Sequence, residues 1–496
     1  LISCAPKELI VEFWSNFGLG GYVMYPTPTW VYESVIYQIF PDRFAIGKGK
    51  SVHDKARLYT SRGGNILEWN VLPRAKPHAA HVNDFYGGDL WGIVEKIPYL
   101  QDLGVNVVYT TPIFLSPSNH KYDTVDYLTV DPQFGGNLAF KRYLSEMKKN
   151  GFKIILDGVF NHLSKYHPWF EKALKGDRKH IAKFIFYKDG YRSWNNFSHM
   201  PEWNWEEVEV REYLLGVVEH YLRLGIDGWR LDVGFDLGYV NNALIASRVK
   251  SVSLEKYVVT ETWNFPAGWE MVDGIMNYHF RETVLGYLKG ERINVAQALQ
   301  SAFERTKNIY GCWNILDSHD TPRLATVLPD KELRKLAIVL QFTYPGVPMV
   351  YYGTEIGMEG GPDPENRAPM IWDEKLWDNE LRDFYKKLIS QRRKEIALKI
   401  GTFEVLNDEP LVFFRRAPHV LDSIVVAVNK DEYTRVCLSI PDGRLLSGTP
   451  FLDLFTGEEF WIVGGMLKID IPKKGFRILR VTNKVKRGYD QYKRIY

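Results

Sequence analysis

Cysteine, net charge and long apolar runs are all scarce in this chain, and each scarcity removes a class of protein. The 496 residues hold three cysteines, Cys4, Cys312 and Cys437, too few for a disulfide framework and too scattered for a metal cluster. A reducing, cytoplasmic compartment is therefore expected. With 63 basic against 60 acidic residues the formal charge is only +3, which gives no electrostatic case for nucleic acid as a partner. No apolar stretch reaches membrane length, and no internal repeat or low-complexity tract is present. Membrane spans and solenoids are not expected.

What is present is enough apolar material for a large core, 45% hydrophobic and 14% aromatic residues, with a regular alternation of two kinds of segment. Eight stretches read as strands: SVIYQIF, VNVVYTTPI, KIILDGVF, IDGWRLDV, KYVVTETW, DGIMNYHF, CWNILDSH and VPMVYYGTEI. They are unbroken apolar runs, as parallel strands buried on both faces must be. Helical patterns such as GIVEKIPYLQDLG at 92–104 and AFKRYLSEMKKNG at 139–151 lie between them, each ending in the glycine expected past a helix. Eight such units close into an α/β (β/α)8 TIM barrel, with its active site at the carboxyl ends of the strands.

Two departures from alternation mark further domains. Residues 162–204 run long and aromatic, through SKYHPWF and FIFYKDGYRSWNNF, which predicts a small loop domain inserted after the third strand and walling one side of the cleft. From 399 onward the helical pattern gives way to short segments, LVFFRR, SIVVAVN, VCLSI, LKIDI and FRILRV, separated by turn residues. This predicts a C-terminal antiparallel β-sandwich over 399–496, ending in a basic tail. The barrel then occupies 34–161 and 205–398, after an N-terminal segment, 1–33. The first methionine, Met24, follows Gly20, Gly21, Tyr22 and Val23; residues 1–23 are expected to be translated leader, the alternative being a terminal helix, KELIVEFWSNF.

Three strand ends deliver acids: GWRLDVGFD at 228–236, VVTETWN at 258–264 and NILDSHDTPR at 314–323. Asp232 and Glu261 are 29 residues apart, room for a crossover helix over NNALIASRVKSV, so they belong on adjacent strands. A retaining glycosidase needs such a pair, one carboxylate to attack the anomeric carbon and one carboxylic acid to release the leaving oxygen. Arg230, two residues before Asp232, faces the same way and is expected to keep Asp232 ionised as nucleophile. Glu261, beside that anion, is expected to stay protonated. Taken singly, a strand-end acid is more often a cap or an ion-pair member, and Asn204 reads equally well as the N-cap of the following helix. The conjunction of ordered motifs outweighs those readings.

The motifs resemble the signature regions of the α-amylase family of glycoside hydrolases, across roughly residues 34–480. DGVFNH at 157–162, SPSNHKYDTVDY at 116–127 and HMPEWN at 199–204 carry the likeness along with the three acid segments. The resemblance implies Asp232 as nucleophile, Glu261 as acid/base and Asp320 as the group whose bonds to the sugar strengthen at the transition state. It implies His120, His162 and His319 as hydroxyl-binding residues, Tyr122 as the ring under the sugar, Asp157 as the brace of Arg230, and Asp363 and Arg367 as ligands of the next sugar. YQIFPDRF, the MP-x-x-N motif and GGPDPENR point within the family to cyclomaltodextrinases, neopullulanases and maltogenic amylases. That implies an oligosaccharide partner, with hydrolysis of α-1,4 links in cyclodextrins and short maltooligosaccharides, possible pullulan cleavage and some transglycosylation. A 4-α-glucanotransferase or ordinary α-amylase on the same scaffold is the alternative; a silent binding or transporter subunit is the alternative of another class.

Three departures from the pattern set further expectations. Phe235 and Asp236 stand where such relatives usually show Asn-Glu, so Phe235 and Trp263 are expected to form an apolar acceptor site. Such relatives usually carry an N-terminal β-domain that builds the dimer, whereas about 33 residues precede the barrel in this sequence; monomer or homodimer is expected. Relatives often bind calcium after the first strand, next to GGD; this chain keeps Gly87, Gly88 and Asp89 but reads AIGKGKSVHD at 45–54. Lys48 and Lys50 put positive charge where calcium needs carboxylates, so neither calcium nor any other cofactor is expected.

Overall fold

The computed structural model describes residues 25–48, 55–60, 63–483 and 492. The expected leader and nearly all of the basic tail lie outside them. Eight strands, β1 Ile36–Ile39, β2 Val107–Thr110, β3 Lys153–Gly158, β4 Gly228–Leu231, β5 Tyr257–Thr262, β6 Gly274–Asn277, β7 Trp313–Ile315 and β8 Val347–Tyr351, pair in parallel around a closed barrel. Each lies within one of the eight stretches read from the sequence. Their continuous apolar character has a direct cause, because alternate residues fill two different cores. Val107, Tyr109, Tyr257 and Val259 point into the barrel, whereas Val108 and Val258 join the larger core between barrel and helices.

The outer layer includes α1 Gly136–Lys149, α2 Val208–Leu224, α3 Tyr239–Val252, α4 Lys331–Thr343 and α5 Asn379–Lys394. The segment at 92–104, expected as one helix, is two, Leu90–Glu95 and Ile97–Leu103, because Pro98 restarts the helix at its second position. Gly104 ends it at φ 94°, the left-handed closure the sequence indicated. Asn204 is not the N-cap of α2; that position is Glu207. Asn204 instead accepts from the Glu206 N–H at 3.2 Å and donates to the Ala182 carbonyl at 2.8 Å, tying the loop to itself.

The insertion after β3 contains two short helices, Pro168–Leu174 and Arg178–Ile181, and a two-residue-strand hairpin, Phe186–Tyr187 with Gly190–Tyr191. Bridges His162–Glu202, Phe184–Trp203 and Ser193–Pro201 hold its two legs together. After α5 come eight antiparallel strands, β9 Glu404–Asn407, β10 Leu411–Arg415, β11 Ile424–Asn429, β12 Thr434–Ser439, β13 Pro450–Asp453, β14 Glu459–Val463, β15 Met466–Ile471 and β16 Gly475–Val481. They form one sheet in the order β9-β10-β11-β16-β13-β14-β15-β12, folded so that Val412, Phe414 and Leu479 share a core with Ile462, Leu467 and Ile469. The opposite face, with Leu411, Phe413 and Val426, is continuous with the barrel's outer core. The sandwich is thus made from a single folded sheet. Among the described residues no helix is long and apolar enough to cross a membrane.

Candidate active site

Register places the acids before any side chain is considered. Arg230 in β4 stands level with Asp157 in β3 and Val259 in β5, so Asp232, one residue past β4, comes level with Glu261 at the carboxyl rim. The turn that follows is unusually constrained. Val233 has φ 41° and ψ 54°, a left-handed conformation that a β-branched residue adopts only under external constraint. A side chain on Gly234 would come within 2.0 Å of Thr260 Oγ1. This turn aims the Val233 N–H at Glu261 Oε2, 3.0 Å away.

Arg230 is fully buried and is shared by three acids. Its Nη1 bonds Asp157 at 2.9 and 3.0 Å and Asp232 at 2.8 Å; its Nη2 lies 2.7 Å from Glu261 Oε2. The cation therefore does not single out Asp232, as adjacency in sequence implied. Burial, then the charges of Glu261 and Asp157, hold the Asp232 carboxyl well above the usual carboxylate range, against the pull of Arg230. Asp157 also accepts from the hydroxyls of Tyr109 at 2.5 Å and Tyr122 at 3.0 Å. Glu261 Oε1 accepts from the Trp263 indole N–H at 3.0 Å.

The polar lining continues around the rim. Gln38 Nε2 donates to His319 Nδ1 at 2.8 Å, so the proton sits on His319 Nε2 and is donated to Tyr122 Oη at 2.6 Å, and the two rings lie parallel. Asp320 lies 3.2 Å from His319 Nε2 and 3.3 Å from Arg367 Nη2, and Arg367 Nη1 pairs with Asp363 at 3.1 Å. His162 Nε2 is 3.9 Å from Asp232 Oδ2 and has no hydrogen-bond partner. Burial pulls the His162 pKa down to about 3 and those of His120 and His319 well below normal. Neutral imidazoles suit sugar hydroxyls, and His162 Nε2, with no hydrogen-bond partner, has its capacity open to one.

These groups line a cleft of about 480 Å³. It brings together His120, Tyr122, His162, Asp232, Glu261, Trp263, His319, Asp320, Asp363 and Arg367, with Arg230 and Asp157 beneath. Phe235 is not among them: its ring, on the short helix Gly234–Leu237, is 64% exposed and lines no part of the cleft. Of the two rings expected at the acceptor side, Trp263 lies in the cleft, stacked on Tyr278 at 3.7 Å, and Phe235 stands outside it. The inserted domain supplies what the sequence reading missed. Trp194 stacks on His162 at 5.1 Å and donates to Asp236 Oδ2 at 3.0 Å, while Phe197, His199 and Met200 line the same wall. The aromatic loop after β3 and the HMPEWN motif at 199–204 contain these residues, but neither assigned them a place in the cleft. At Val82, His120 and His199 the cleft adjoins a second hollow, of about 610 Å³.

Residues 38–251 and 241–397 match the family model described as alpha amylase, catalytic domain. Neopullulanase 2 of Thermoactinomyces vulgaris is 38% identical over 477 residues, 91% of this chain and 78% of that protein. A cyclomaltodextrinase of a Bacillus species is 36% identical over 456 residues, covering 86% and 78%. A solved cyclomaltodextrinase structure superposes with a TM-score of 0.80 at 32% identity, over 92% of this chain and 79% of that one.

Proposed function

Since the chain belongs to the α-amylase family of glycoside hydrolases, we propose that its cleft hydrolyses α-1,4-glucosidic bonds in cyclodextrins and short maltooligosaccharides with retention of configuration. One observation carries the reading: a single guanidinium, Arg230, touches both Asp232 and Glu261. Sharing one cation draws the two carboxyl groups together, which favours the roughly 5–5.5 Å spacing of retaining enzymes over the roughly 6.5–9.5 Å that inverting enzymes need to admit a water.

In the first step Asp232 attacks the anomeric carbon as the glycosidic bond breaks, and the proton of Glu261 passes to the departing oxygen. Arg230, 2.8 Å away, and the positive charge developing on the sugar stabilise the Asp232 carboxylate against the burial that disfavours charge there. In the second step Glu261, now a carboxylate held by Trp263 and the Val233 N–H, takes a proton from water as its oxygen attacks the same carbon and releases Asp232. Asp320, His120, His162 and His319 hold the hydroxyls of the reacting sugar, Tyr122 lies under it, and Asp363 with Arg367 receives its neighbour. Transglycosylation follows when a sugar held on Trp263 replaces the water.

The two described cysteines, Cys312 buried and Cys437 exposed, are free thiols, which suits a cytoplasmic enzyme. It acts as a monomer or homodimer. Initial rates on β-cyclodextrin, maltotriose and soluble starch, with Glu261→Gln as control, test the function. Preference for the ring and the trimer, abolished in the control, supports the reading. Preference for starch would make the protein an ordinary amylase, and redistribution of chain length without new reducing ends would make it a transferase.

A further inference from the structure

The turn Gly87–Gly88–Asp89 is the feature that in this family accompanies a bound calcium, and the residues around it do not fit one. Asp89 is fully buried. Its Oδ1 already accepts from the N–H groups of Gly47 at 3.1 Å and Gly92 at 2.7 Å. Its Oδ2 is bonded to the ammonium of Lys55, which also donates to the Gly87 carbonyl at 2.7 Å. The carboxylate oxygen and the carbonyl that a hard cation would take are therefore both occupied by an amine from the same chain. Calcium requires six to eight oxygens, and among the described residues no group of three metal-binding side chains assembles.

We propose that Lys55 is a built-in cation that takes the place of calcium at the Gly87–Asp89 turn. The positive charge comes from Lys55; Lys48 contributes its backbone N–H to Glu95 at 2.7 Å, and Lys50 lies outside the described residues. Charge balance favours the exchange, because one ammonium neutralises one carboxylate, whereas a divalent ion would leave a buried excess of positive charge. Burial raises the Asp89 pKa and Lys55 opposes that rise, as for a carboxylate that depends on its partner.

The ammonium also braces the cleft. Asp42 accepts from the N–H groups of Tyr86 at 3.0 Å and Gly87 at 3.1 Å and pairs with Arg43 at 2.8 Å. Arg43 in turn donates to the carbonyl of Arg367, the sugar ligand of the cleft wall, at 2.6 Å. Gly88 leaves this connection no freedom to shift, since a side chain there would lie 2.2 Å from the Pro41 carbonyl. Lys55, the glycine turn, Asp42, Arg43 and Arg367 form one continuous support.

Thermal unfolding of the full chain, stripped with a chelator and then given calcium or magnesium chloride, tests the proposal. The unmodified protein should melt within about 1 °C in all three conditions, and Lys55→Met should lose about 5 °C or more, because a buried carboxylate is left unpaired. Lys55→Asn, which removes the ammonium and offers an oxygen, should lose as much and regain at least half of it with calcium but not magnesium. A calcium-dependent midpoint in the unmodified protein, an unchanged midpoint in Lys55→Met, or a Lys55→Asn protein deaf to calcium would each overturn it. Should the latter two fail to fold, Lys55→Arg keeps the charge; it should stay indifferent to calcium, and a calcium response would contradict the proposal.

Discussion

Two buried arginine sites in this molecule use the same side chain in opposite electrostatic settings. At the carboxyl end of the barrel, burial would lower the Arg230 pKa, but Asp157 and Glu261 outweigh it and hold the guanidinium firmly charged. At the seam between barrel and C-terminal sheet, Arg392 of α5 and Arg415 of β10 meet carbonyls only. Arg392 donates to Gly346 at 2.7 Å and Tyr32 at 3.3 Å. Arg415 donates to Gly401 at 2.9 Å, to Thr402 at 3.0 Å and to Thr343. Neither is paired with a carboxylate among the described residues, and burial pulls their pKa values down to about 9 and about 10, still charged at neutral pH. Where the partners are carboxylates, removing one acid alters chemistry and leaves the rest of the cluster satisfied. Where the partners are backbone carbonyls, the arginine only closes chain ends, and its loss is felt as stability.

The contrast sharpens into expected outcomes. Asp232→Asn should lower kcat by about 10⁴-fold or more, since a covalent step is removed, while its melting temperature stays level or rises because a crowded negative charge is gone. Arg415→Met should do the reverse, losing about 1–3 kcal/mol from orphaned carbonyls while kcat per folded molecule is unchanged. Equal loss of both properties in either variant would break the comparison.

The histidines give the contrast a pH dependence. In the folded cleft His162 titrates near pH 3, below its ordinary value of 6.5, and burial holds His167 near 4. Below about pH 6.5 the unfolded chain binds protons that the folded chain refuses, so stability is full above that pH and falls steadily toward pH 3. Each such group adds up to about 1.4 kcal/mol per pH unit to that slope. His162→Gln should flatten the acid limb of a plot of unfolding free energy against pH, and an unchanged slope would contradict the buried neutral imidazole. Asp236→Ala, which frees the Trp194 indole from the barrel, should raise KM by about 3- to 10-fold with little change in kcat, the cost of one hydrogen bond across the cleft. Smallest of all, Phe235→Asn should leave the transfer-to-hydrolysis ratio within about twofold, because an exposed ring off the cleft has no direct contact to lose.

How much of this was legible in the sequence follows from what each feature depends on. The eight barrel strands were legible because burial on both faces leaves an unbroken apolar run, and Asp232, Glu261 and Asp320 because each ends or follows such a run. Three strands of the C-terminal sheet, Glu404–Asn407, Pro450–Asp453 and Glu459–Val463, escaped notice. EFWIV carries a clean alternation of exposed and buried residues, but its turn-rich surroundings hid it. Features made by distant segments were not legible at all. Arg230 reaching Glu261, Trp194 lying on His162, and Lys55 entering the Gly87–Asp89 turn all depend on where loops return in space. Phe235 was expected at the cleft from its position just after β4; its ring stands exposed past the left-handed Val233 turn, a direction that sequence adjacency could not give.

The central claim is that one guanidinium holds Asp232 and Glu261 at the spacing of a retaining pair. Proton NMR of the first products released from a maltooligosaccharide, recorded before mutarotation, tests it most directly. Initial appearance of the α-anomer, with the β-anomer growing only later at the rate of spontaneous mutarotation, is the predicted result. Initial release of the β-anomer would mean that water attacks in a single displacement, and would contradict the account.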